Sequence, residues 1–318
     1  MPHILLISST RIGDAVLSSG ALDYARTLAP GAEATIACGP LPAPLFRAEP
    51  NLRALHTFVN RGGIGHWLQL RDQLRGVRYD VAIDLRGSLV TYMLPAKRRF
   101  VFRKSALVRH KVEEATALMR APHTLHPRLK LDEQARRDAR AAAPEGPTLV
   151  LGPGASIIAK RWRAERFAAV ARRLTGPGAP LAGAAILILG GGEDAPIAAE
   201  ISASLAADGV RAKNLTGALD LLACAALLER TTLFIGNDSG LMHIAAAVGA
   251  PTLGLFGPTD ERLYGPWGDR ARALRGRPYG ELAAFGDPHD VNKTLLDDLS
   301  IDAVEAAAHA LLHGGGLA

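Results

Sequence analysis

Cysteine and long apolar runs are scarce in this sequence. Only Cys38 and Cys224 occur among 318 residues, and two cysteines so far apart, without metal-ligand spacing, indicate buried free thiols. No apolar stretch reaches the roughly 20 residues that a membrane-spanning helix needs. The residues that follow Met1 predict a first strand instead of a signal peptide, because no basic segment precedes a long apolar one. We therefore expect a cytoplasmic protein.

Aromatic residues and common catalytic motifs are rare as well. Aromatic side chains make up 5% of the chain and do not alternate with basic ones, which makes nucleic acid the weaker choice of partner. The net charge of +6 favours other anionic partners: nucleotides, a phosphorylated glycolipid or an anionic membrane surface. Neither H-E-x-x-H nor C-x-x-C occurs, so no structural metal is predicted. Ser239 lacks the flanking glycines of a hydrolase nucleophile.

Apolar residues make up 48% of the chain and form two successive series of alternating strand and helix patterns. This alternation predicts parallel sheets covered by helices. A Pro-Glu-Gly-Pro stretch at 144–147 predicts a linker, so we expect domains at 1–146 and 147–318, with the last helix able to pack back on the first domain. Two such domains facing one another would form a cleft at the carboxyl ends of both sheets. Helices are predicted at 14–28 and from 89 onward.

The segment 232–260 predicts a strand, a tight turn, a helix and a second strand. Ser239 and Gly240 lie where the helix starts, and a helix start offers N–H groups and a positive dipole end that suit phosphate. Asp238 should repel phosphate, so we interpret it as an acceptor for backbone amides or sugar hydroxyls. His243 lies one helical turn beyond Ser239, where it either faces the same ligand or packs as an ordinary core histidine.

Three further turns carry polar side chains after predicted strands. Asp14 follows the first strand, where it serves either as a helix cap or as a general base beside a reacting hydroxyl. Ser156 and Lys160 follow the first strand of the second half and suit a diphosphate, although a purely structural loop also fits. Glu193 lies in a glycine-rich turn that formally fits a dinucleotide fingerprint. Because no acidic residue ends a strand at the usual distance, Glu193 reaching a ribose fits better.

With these segments in view, the chain resembles glycosyltransferase family 9, the ADP-heptose:lipopolysaccharide heptosyltransferases, over nearly its whole length. The most specific segment is Asn-Asp-Ser-Gly-Leu-Met-His at 237–243, followed by Phe-Gly-Pro-Thr-Asp at 256–260. The sequence departs from the family in having Ala155 where some members have a hydroxyl residue, and in its basic segment from Lys97 to Lys104, part of a stretch rich in Lys and Arg that continues to Lys111. The other matching segments lie at 9–14, 84–87, 110–113, 153–156, 160–162 and 189–193.

The resemblance implies a GT-B fold, with two Rossmann-like doubly wound domains, an N-terminal acceptor domain, a C-terminal nucleotide-sugar domain and the active site between them. It also implies an inverting transfer without an obligatory cofactor, since Lys160 and the helix start neutralise the diphosphate; Mg²⁺ is possible but not required. The site residues that it implies are a catalytic base at Asp14, diphosphate contacts at Ser156, Lys160, Ser239 and Gly240 with His243 nearby, a ribose carboxylate at Glu193 and a donor-site carboxylate at Asp238.

We therefore expect an enzyme that transfers heptose from ADP-heptose to a lipopolysaccharide inner-core or related bacterial glycan acceptor. Its partners would be the nucleotide sugar and a phosphorylated glycolipid at the inner face of the cytoplasmic membrane, where the enzyme could bind peripherally, and not nucleic acid. Three alternatives are a family member that uses a different nucleotide sugar, an NAD-binding oxidoreductase and a non-catalytic nucleotide-sugar binding protein.

Overall fold

A computed structural model describes residues 1–59, 62–104, 107–284, 290 and 293–314 of the chain. The chain divides into two compact units, Met1–Asp132 and Glu133–Ala318. Each unit contains one parallel sheet and the helices that pack on it.

The first unit contains a five-stranded sheet in the order β3-β2-β1-β4-β5, in which every neighbouring pair is parallel. Short 3-10 helices follow β2 and β4, at Ala43–Phe46 and Val90–Met93. The strands are β1 (His3–Ile7), β2 (Glu33–Cys38), β3 (Leu52–Thr57), β4 (Tyr79–Asp84) and β5 (Ala96–Val101), and the helices are α1 (Ile12–Leu17), α2 (Gly20–Leu28), α3 (Gly65–Leu74) and α4 (Lys111–Met119).

Both faces of the central strand β1 are buried. Ile4 and Leu6 pack in a cluster that includes helix α2, whereas Leu5 and Ile7 pack in a second cluster that includes α3. Successive residues of a strand face opposite sides of the sheet, so a strand that is covered on both sides has to be apolar throughout. This requirement explains the unbroken apolar run near the start of the sequence.

The second unit contains a six-stranded parallel sheet in the order β11-β10-β9-β6-β7-β8. Short 3-10 helices lie at Ile158–Lys160, Gly192–Asp194 and Tyr279–Ala284. None of the helices in the described parts of the chain has the length and apolar character to cross a membrane. The strands are β6 (Thr148–Gly152), β7 (Ala185–Ile188), β8 (Ala212–Asn214), β9 (Leu233–Asn237), β10 (Thr252–Leu255) and β11 (Ala271–Leu274), and the helices are α5 (Glu133–Ala142), α6 (Ala164–Thr175), α7 (Ala195–Ala207), α8 (Leu221–Glu229), α9 (Gly240–Ala247), α10 (Glu261–Tyr264) and α11 (Ile301–Leu312).

The core of the second unit includes a fully buried tryptophan and the last helix. The indole N–H of Trp162 donates to the carbonyl of Leu299 at 3.0 Å, and its ring meets the ring of Phe167 edge-on at 5.1 Å between centroids. Val304 and Ala308 of α11 are buried in the same cluster. The last helix therefore packs within the second unit, whereas the sequence had allowed it to pack on the first.

Each sheet has one pair of neighbouring strands at which the direction of winding reverses. In the first unit this pair is β1 and β4, and in the second it is β6 and β9. Loops that leave the carboxyl ends of such a pair run to opposite faces of the sheet and leave a crevice, which is the usual ligand site of open α/β sheets. The predicted site residues after β1, β6 and β9 lie on these loops.

Two helices predicted in the first half differ from those in the structure. The segment 14–28 forms two helices, and a side chain at Gly20, where the second begins, would collide with the carbonyl groups of Leu125 and His126. This close approach of a distant segment explains the break. The helix predicted from residue 89 is a single 3-10 turn, Val90–Met93.

The boundary between the units falls at 132/133, before α5, instead of after residue 146. The Arg- and Ala-rich segment before the Pro-Glu-Gly-Pro stretch was predicted to lead into a linker, but it forms a helix. Ala135 and Ala139 of α5 are buried against α8, and Arg136 forms an ion pair with Glu229 of that helix. These contacts place α5 in the second unit.

Candidate active site

One buried side chain connects the two turns at the reversal point of the second sheet. Asn237, at the end of β9, donates from Nδ2 to the carbonyl oxygen of Pro153 at 2.7 Å. Its Oδ1 accepts from the N–H of Trp162 at 3.0 Å. Pro153 directly follows β6 and Trp162 precedes α6, so Asn237 holds both ends of the loop between them. A fully buried amide with partners on both atoms fixes this loop geometry.

Helix α9 begins at this turn with its first N–H groups not capped by a side chain. Ser239 is the N-cap residue, with an extended backbone, and its hydroxyl accepts no hydrogen bond from the first turn. Ser239 and Gly240 are both partly exposed. Gly249, at φ +83°, ends the helix in a conformation that suits glycine. The start of α9 therefore presents backbone donors and a positive dipole end at the sheet edge.

An ion pair lies directly beside the start of α9. The ammonium nitrogen Nζ of Lys160 is 2.7 Å from Oδ2 of Asp238, whose side chain is 7% exposed, whereas Lys160 is 22% exposed. The sequence had predicted backbone amides or sugar hydroxyls as donors to Asp238, but its donor in the structure is this ammonium group. Because Lys160 compensates the charge of Asp238, this carboxylate repels an anion at the start of α9 less than an unpaired carboxylate would.

A second carboxylate holds the glycine turns after β6 and β7. Asp194 is buried and accepts from the N–H of Gly191 at 3.0 Å. A side chain at Gly154 or at Gly190 would collide with its carboxyl group, so both glycines permit a close approach of backbone to Asp194. Burial raises the pKa of this carboxyl, with a smaller contribution in the same direction from the charge of Glu193 and an opposing one from the Gly191 hydrogen bond.

The other residues predicted to contact the nucleotide sugar differ in solvent exposure. Ser156 and Glu193 are exposed on the loops after β6 and β7, which are neighbouring strands. His243 is 4% exposed on the buried side of α9, and its backbone N–H donates to the carbonyl of Ser239 at 3.5 Å. This burial fits the core-histidine alternative. Ligand contacts of all three side chains stay predictions.

An arginine that the sequence did not suggest holds the Gly-Pro-Thr turn after β10. Nη2 of Arg275 donates to the carbonyl oxygens of Gly257 at 3.0 Å and Thr259 at 2.6 Å. Its Nε lies 3.0 Å from a carboxylate oxygen of Glu261, and its guanidinium lies over the ring of Tyr279 at 5.5 Å. Arg275 therefore positions the turn that follows β10.

Asp14 lies at the carboxyl edge of the first sheet and is the third residue of α1. The N-cap of that helix is Arg11, so the structure contradicts the cap alternative. The carboxylate is partly exposed, and its Oδ2 accepts from the hydroxyl of Ser9 at 3.3 Å. The same hydroxyl accepts from the N–H of Arg11 at 3.2 Å, which orients it. A partly exposed carboxylate held by one hydroxyl is accessible to a ligand; its catalytic role stays a prediction.

A different carboxylate at this edge is structural. Asp84, at the end of β4, is fully buried and accepts from the hydroxyl of Ser88 at 2.6 Å and from the N–H of Arg86 at 2.9 Å. Burial raises its pKa, opposed by these hydrogen bonds. Asp84 thus shapes the turn after β4 and, unlike Asp14, is inaccessible to a ligand.

The strand-end turns of the second unit form a site suited to an anion with hydroxyl groups. The start of α9 and the Lys160 ammonium supply positive potential, and Ser156 and Glu193 supply exposed polar groups on the loops after β6 and β7. Within the described ranges, no group of three His, Cys, Asp or Glu side chains could hold a metal ion.

Sequence comparison identifies the family. Residues 67–294, well over half of the chain, match the profile of glycosyltransferase family 9 (heptosyltransferase). The chain belongs to this family. It is therefore a glycosyltransferase, which favours the transferase over the oxidoreductase and the non-catalytic binding protein considered from the sequence. Lipopolysaccharide heptosyltransferase 2 of Salmonella typhimurium is 26% identical over an alignment that covers 99% of each protein.

Solved structures confirm the GT-B fold that the resemblance implied. The ADP-heptose lps heptosyltransferase II of E. coli superposes with a TM-score of 0.77 at 24% identity, covering 98% of each chain. The glycosyl transferase family 9 protein of Veillonella parvula superposes with a TM-score of 0.81 at 20% identity, covering 98% of this chain and 97% of the other. At these identities the likeness concerns the fold.

Sequence patterns located the turns of the site but not the side chains that hold them. Lys160, Asp238, Ser239 and Gly240 lie together at one sheet edge, as their positions after strands predicted. Three supporting residues were missed: Asn237, Asp194 and Arg275. Asn237 and Arg275 are found at or directly after strand ends, a position that could have drawn attention to them, but nothing in the sequence distinguishes buried Asp194 from exposed Glu193.

The buried amide of Asn237 leads to the first prediction. An Asn237→Ala variant leaves the carbonyl of Pro153 and the N–H of Trp162 without their partner, at a cost of about 1–3 kcal/mol for each buried group. Guanidinium titration should therefore show a clearly lower free energy of unfolding. Asn214→Ala is the matched control, because Asn214 also ends a strand and accepts hydrogen bonds from Thr216 but is exposed. Equal losses in both variants would contradict the role of Asn237.

Asp194 leads to a prediction about pH. Its pKa in the folded protein lies above the ordinary value of about 3.9, so the folded state binds more protons than the unfolded state between the two values. The wild-type free energy of unfolding therefore falls as pH rises through this window. Asp194→Asn cannot ionise and its Oδ1 can still accept from Gly191. The free energy of unfolding of Asp194→Asn, relative to that of the wild type, should therefore rise as the pH increases above about 4.

Asp80→Asn is the control for this pH dependence and should have the opposite sign. Hydrogen bonds from Lys97 and the backbone of His3 lower the pKa of Asp80. Its ionised form stabilises the folded state above the unfolded pKa, so Asp80→Asn should lose stability relative to wild type as pH rises. Urea titrations between pH 3 and 6 measure both differences. A pH-independent difference for Asp194→Asn would disprove the assignment.

Proposed function

We propose that this glycosyltransferase transfers heptose, with inversion, from ADP-heptose to a lipopolysaccharide inner-core or related bacterial glycan acceptor. Family membership supports heptosyl transfer, and the similarity to lipopolysaccharide heptosyltransferase 2 of Salmonella typhimurium supports lipopolysaccharide as the acceptor class. The similarity in fold to the ADP-heptose lps heptosyltransferase II of E. coli supports ADP-heptose as donor. The observation that carries the proposal is the uncapped start of α9 beside the Lys160 ammonium, at the reversal point of the second sheet.

A nucleoside diphosphate suits this position for electrostatic reasons. Backbone N–H groups at a helix start bind phosphate oxygens without a counter-charge, and an ammonium group adds a movable cation. Lys160 is paired with Asp238 when no ligand is present. On binding, the ammonium would be shared between Asp238 and the diphosphate, so Asp238 would keep Lys160 positioned. The exposed carboxylate of Glu193 is placed to accept hydrogen bonds from a ribose.

Asp14 is proposed as the general base. The acceptor hydroxyl oxygen attacks the anomeric carbon from the face opposite the diphosphate, and the bond from that carbon to the leaving oxygen breaks. Asp14 takes the proton of the attacking hydroxyl group as the hydroxyl oxygen becomes positively charged. ADP leaves with the electron pair of the broken bond. Lys160 and the start of α9 would stabilise the negative charge that develops on the leaving group. These residues could act without a metal, and Mg²⁺ bound to the diphosphate would be compatible with them.

The role of Asp14 is tested by Asp14→Asn. Loss of a positioned base lowers kcat by about 10²- to 10⁴-fold, while binding of ADP should stay within about twofold of wild type because Asp14 is not proposed to touch the diphosphate. Release of ADP from ADP-heptose in the presence of acceptor measures turnover, and titration calorimetry measures binding. Asp23→Asn, which removes a surface carboxylate paired with Arg26 and Lys130, is the control and should keep its turnover. Unchanged turnover of Asp14→Asn would eliminate it as the base.

The diphosphate site is tested by Lys160→Met. A hydrogen bond from a charged donor contributes about 1.5–3 kcal/mol, so the Kd for ADP should rise about 10- to 100-fold. The Lys160→Met/Asp238→Asn double variant should bind ADP more tightly than Lys160→Met, because the uncompensated carboxylate beside the diphosphate is gone. Lys213→Met, on the exposed strand β8, is the control. Wild-type affinity in Lys160→Met, or tighter binding of UDP than of ADP by the wild type, would contradict the proposal.

A further inference from the structure

Exposed large apolar side chains are concentrated at one edge of the first unit. Eleven such residues occur in the described parts of the chain, and eight of them lie on loops that follow the carboxyl ends of β2, β3, β4 and β5. Burial elsewhere in the unit is efficient, as the two clusters on β1 show. A concentration of this kind indicates a surface that becomes covered by a partner. The eight residues are Leu41, Val59, Ile64, Leu89, Tyr92, Met93, Leu107 and Val108.

The apolar residues after β4 are held outward by a rigid turn. In the 3-10 helix Val90–Met93, residues three apart lie on the same side, so Leu89 and Tyr92 share one face while Thr91 lies on a different one, and Leu94 follows the helix with an extended backbone. Thr91 and Leu94 are buried, whereas Leu89 is 73% and Tyr92 52% exposed.

The guanidinium of Arg99 locks this turn to β5. It donates to the carbonyl oxygens of Thr91 at 2.9 Å, Leu94 at 2.7 Å and Ala96 at 2.9 Å. The exposure of Leu89 and Tyr92 is therefore imposed by the fold.

The loop after β5 continues the same surface with basic side chains. The N–H of Phe102 donates to the carbonyl of Asp84 at 2.8 Å, and Gly87 contacts the Phe102 carbonyl so closely that a side chain there would collide, which joins the two loops. Arg103 and Lys104 follow and are exposed, and Val108 is 68% exposed. The apolar and basic groups therefore lie on adjoining loops.

The loops that follow β2, β3, β4 and β5 carry charges of one sign in the sequence. The segments 39–47, 58–65, 85–95 and 102–110 contain six Arg or Lys residues and no Asp or Glu. Two carboxylates lie at the same edge outside these segments: Asp14 is in α1, after β1, and Asp84 is buried at the end of β4. Asp80 and Glu33 lie at the opposite ends of β4 and β2. Arg47 is paired with Asp132, whereas Arg103, Lys104 and Arg109 are exposed. A surface that combines outward apolar side chains with an excess of positive charge is complementary to an anionic lipid bilayer, whose headgroups attract the cations and whose interface accepts the apolar groups.

We infer that Leu89, Tyr92, Met93, Arg103, Lys104 and Val108 form a docking face for an anionic bilayer. The inference extends the proposed function, since a glycolipid acceptor resides in a bilayer, but binding to the bilayer requires neither acceptor nor donor. A second copy of the chain is the less favourable occupant, because it would bring the same positive charges against this face.

Vesicle flotation tests the docking face with the full-length protein. Phosphatidylcholine vesicles containing 30% phosphatidylglycerol are compared with pure phosphatidylcholine, at low salt and at high salt, without nucleotide or acceptor. The wild type should float with the anionic vesicles, and high salt should weaken this binding. Leu89→Ser/Tyr92→Ser and Arg103→Ser/Lys104→Ser should each reduce the partition coefficient at least tenfold, since one basic residue near the surface contributes about fivefold.

A matched control separates the docking face from general charge. Arg211→Ser/Lys213→Ser removes two exposed cations around β8 and should bind vesicles like the wild type. Circular dichroism melting should give the same Tm for all variants, because the substituted side chains are exposed.

Three results would overturn the inference: no flotation of the wild type, equal loss in the Arg211→Ser/Lys213→Ser control, or a dimer that only Leu89→Ser/Tyr92→Ser dissociates. Turnover by a protein that does not float would leave the proposed function standing, and flotation without turnover would leave the docking face standing.

Discussion

Burial of both faces of each parallel sheet is the constraint on which the remaining structure depends. A strand such as β1, with Ile4 and Leu6 on one side and Leu5 and Ile7 on the other, has no position for a polar side chain. Polar chemistry is thereby confined to the strand ends. Asp14, Lys160 and Asp238 all lie in the segments that follow strands for this reason, and the site is built from turns and helix starts that a rigid sheet holds.

Turns are mobile unless their backbone groups are satisfied, and buried polar side chains provide this here. Asn237 holds the loop after β6 at both ends, Asp194 holds the glycine turn after β7, and Arg275 holds the turn after β10. Each of these groups is costly to bury alone but satisfied by backbone partners. Lys160 and Asp238 differ from these residues, because the hydrogen bond between their side chains joins them to each other and not to the backbone of a turn.

The two units use the same architecture for different surfaces. At the carboxyl edge of the second sheet the polar groups converge on a small region around the start of α9. At the corresponding edge of the first sheet, Asp14 is accompanied by exposed apolar side chains and by cations without acidic neighbours in the same loops. The first pattern suits a compact anionic ligand, and the second suits an extended, partly apolar one.

The sequence by itself determined the parallel α/β architecture, the family and the turns that carry the site, because apolar runs, glycine-rich turns and the 237–243 motif are local in the chain. It did not determine which side chain meets which. The pairing of Asp238 with Lys160 joins residues 78 positions apart, and that of Asn237 with Pro153 joins residues 84 positions apart. Backbone geometry excluded Asp14 from the helix cap. Packing against distant segments bears on the other two differences, the helix start at Gly20 and the assignment of α5 to the second unit. Such contacts depend on how the strands are ordered, which no local pattern encodes.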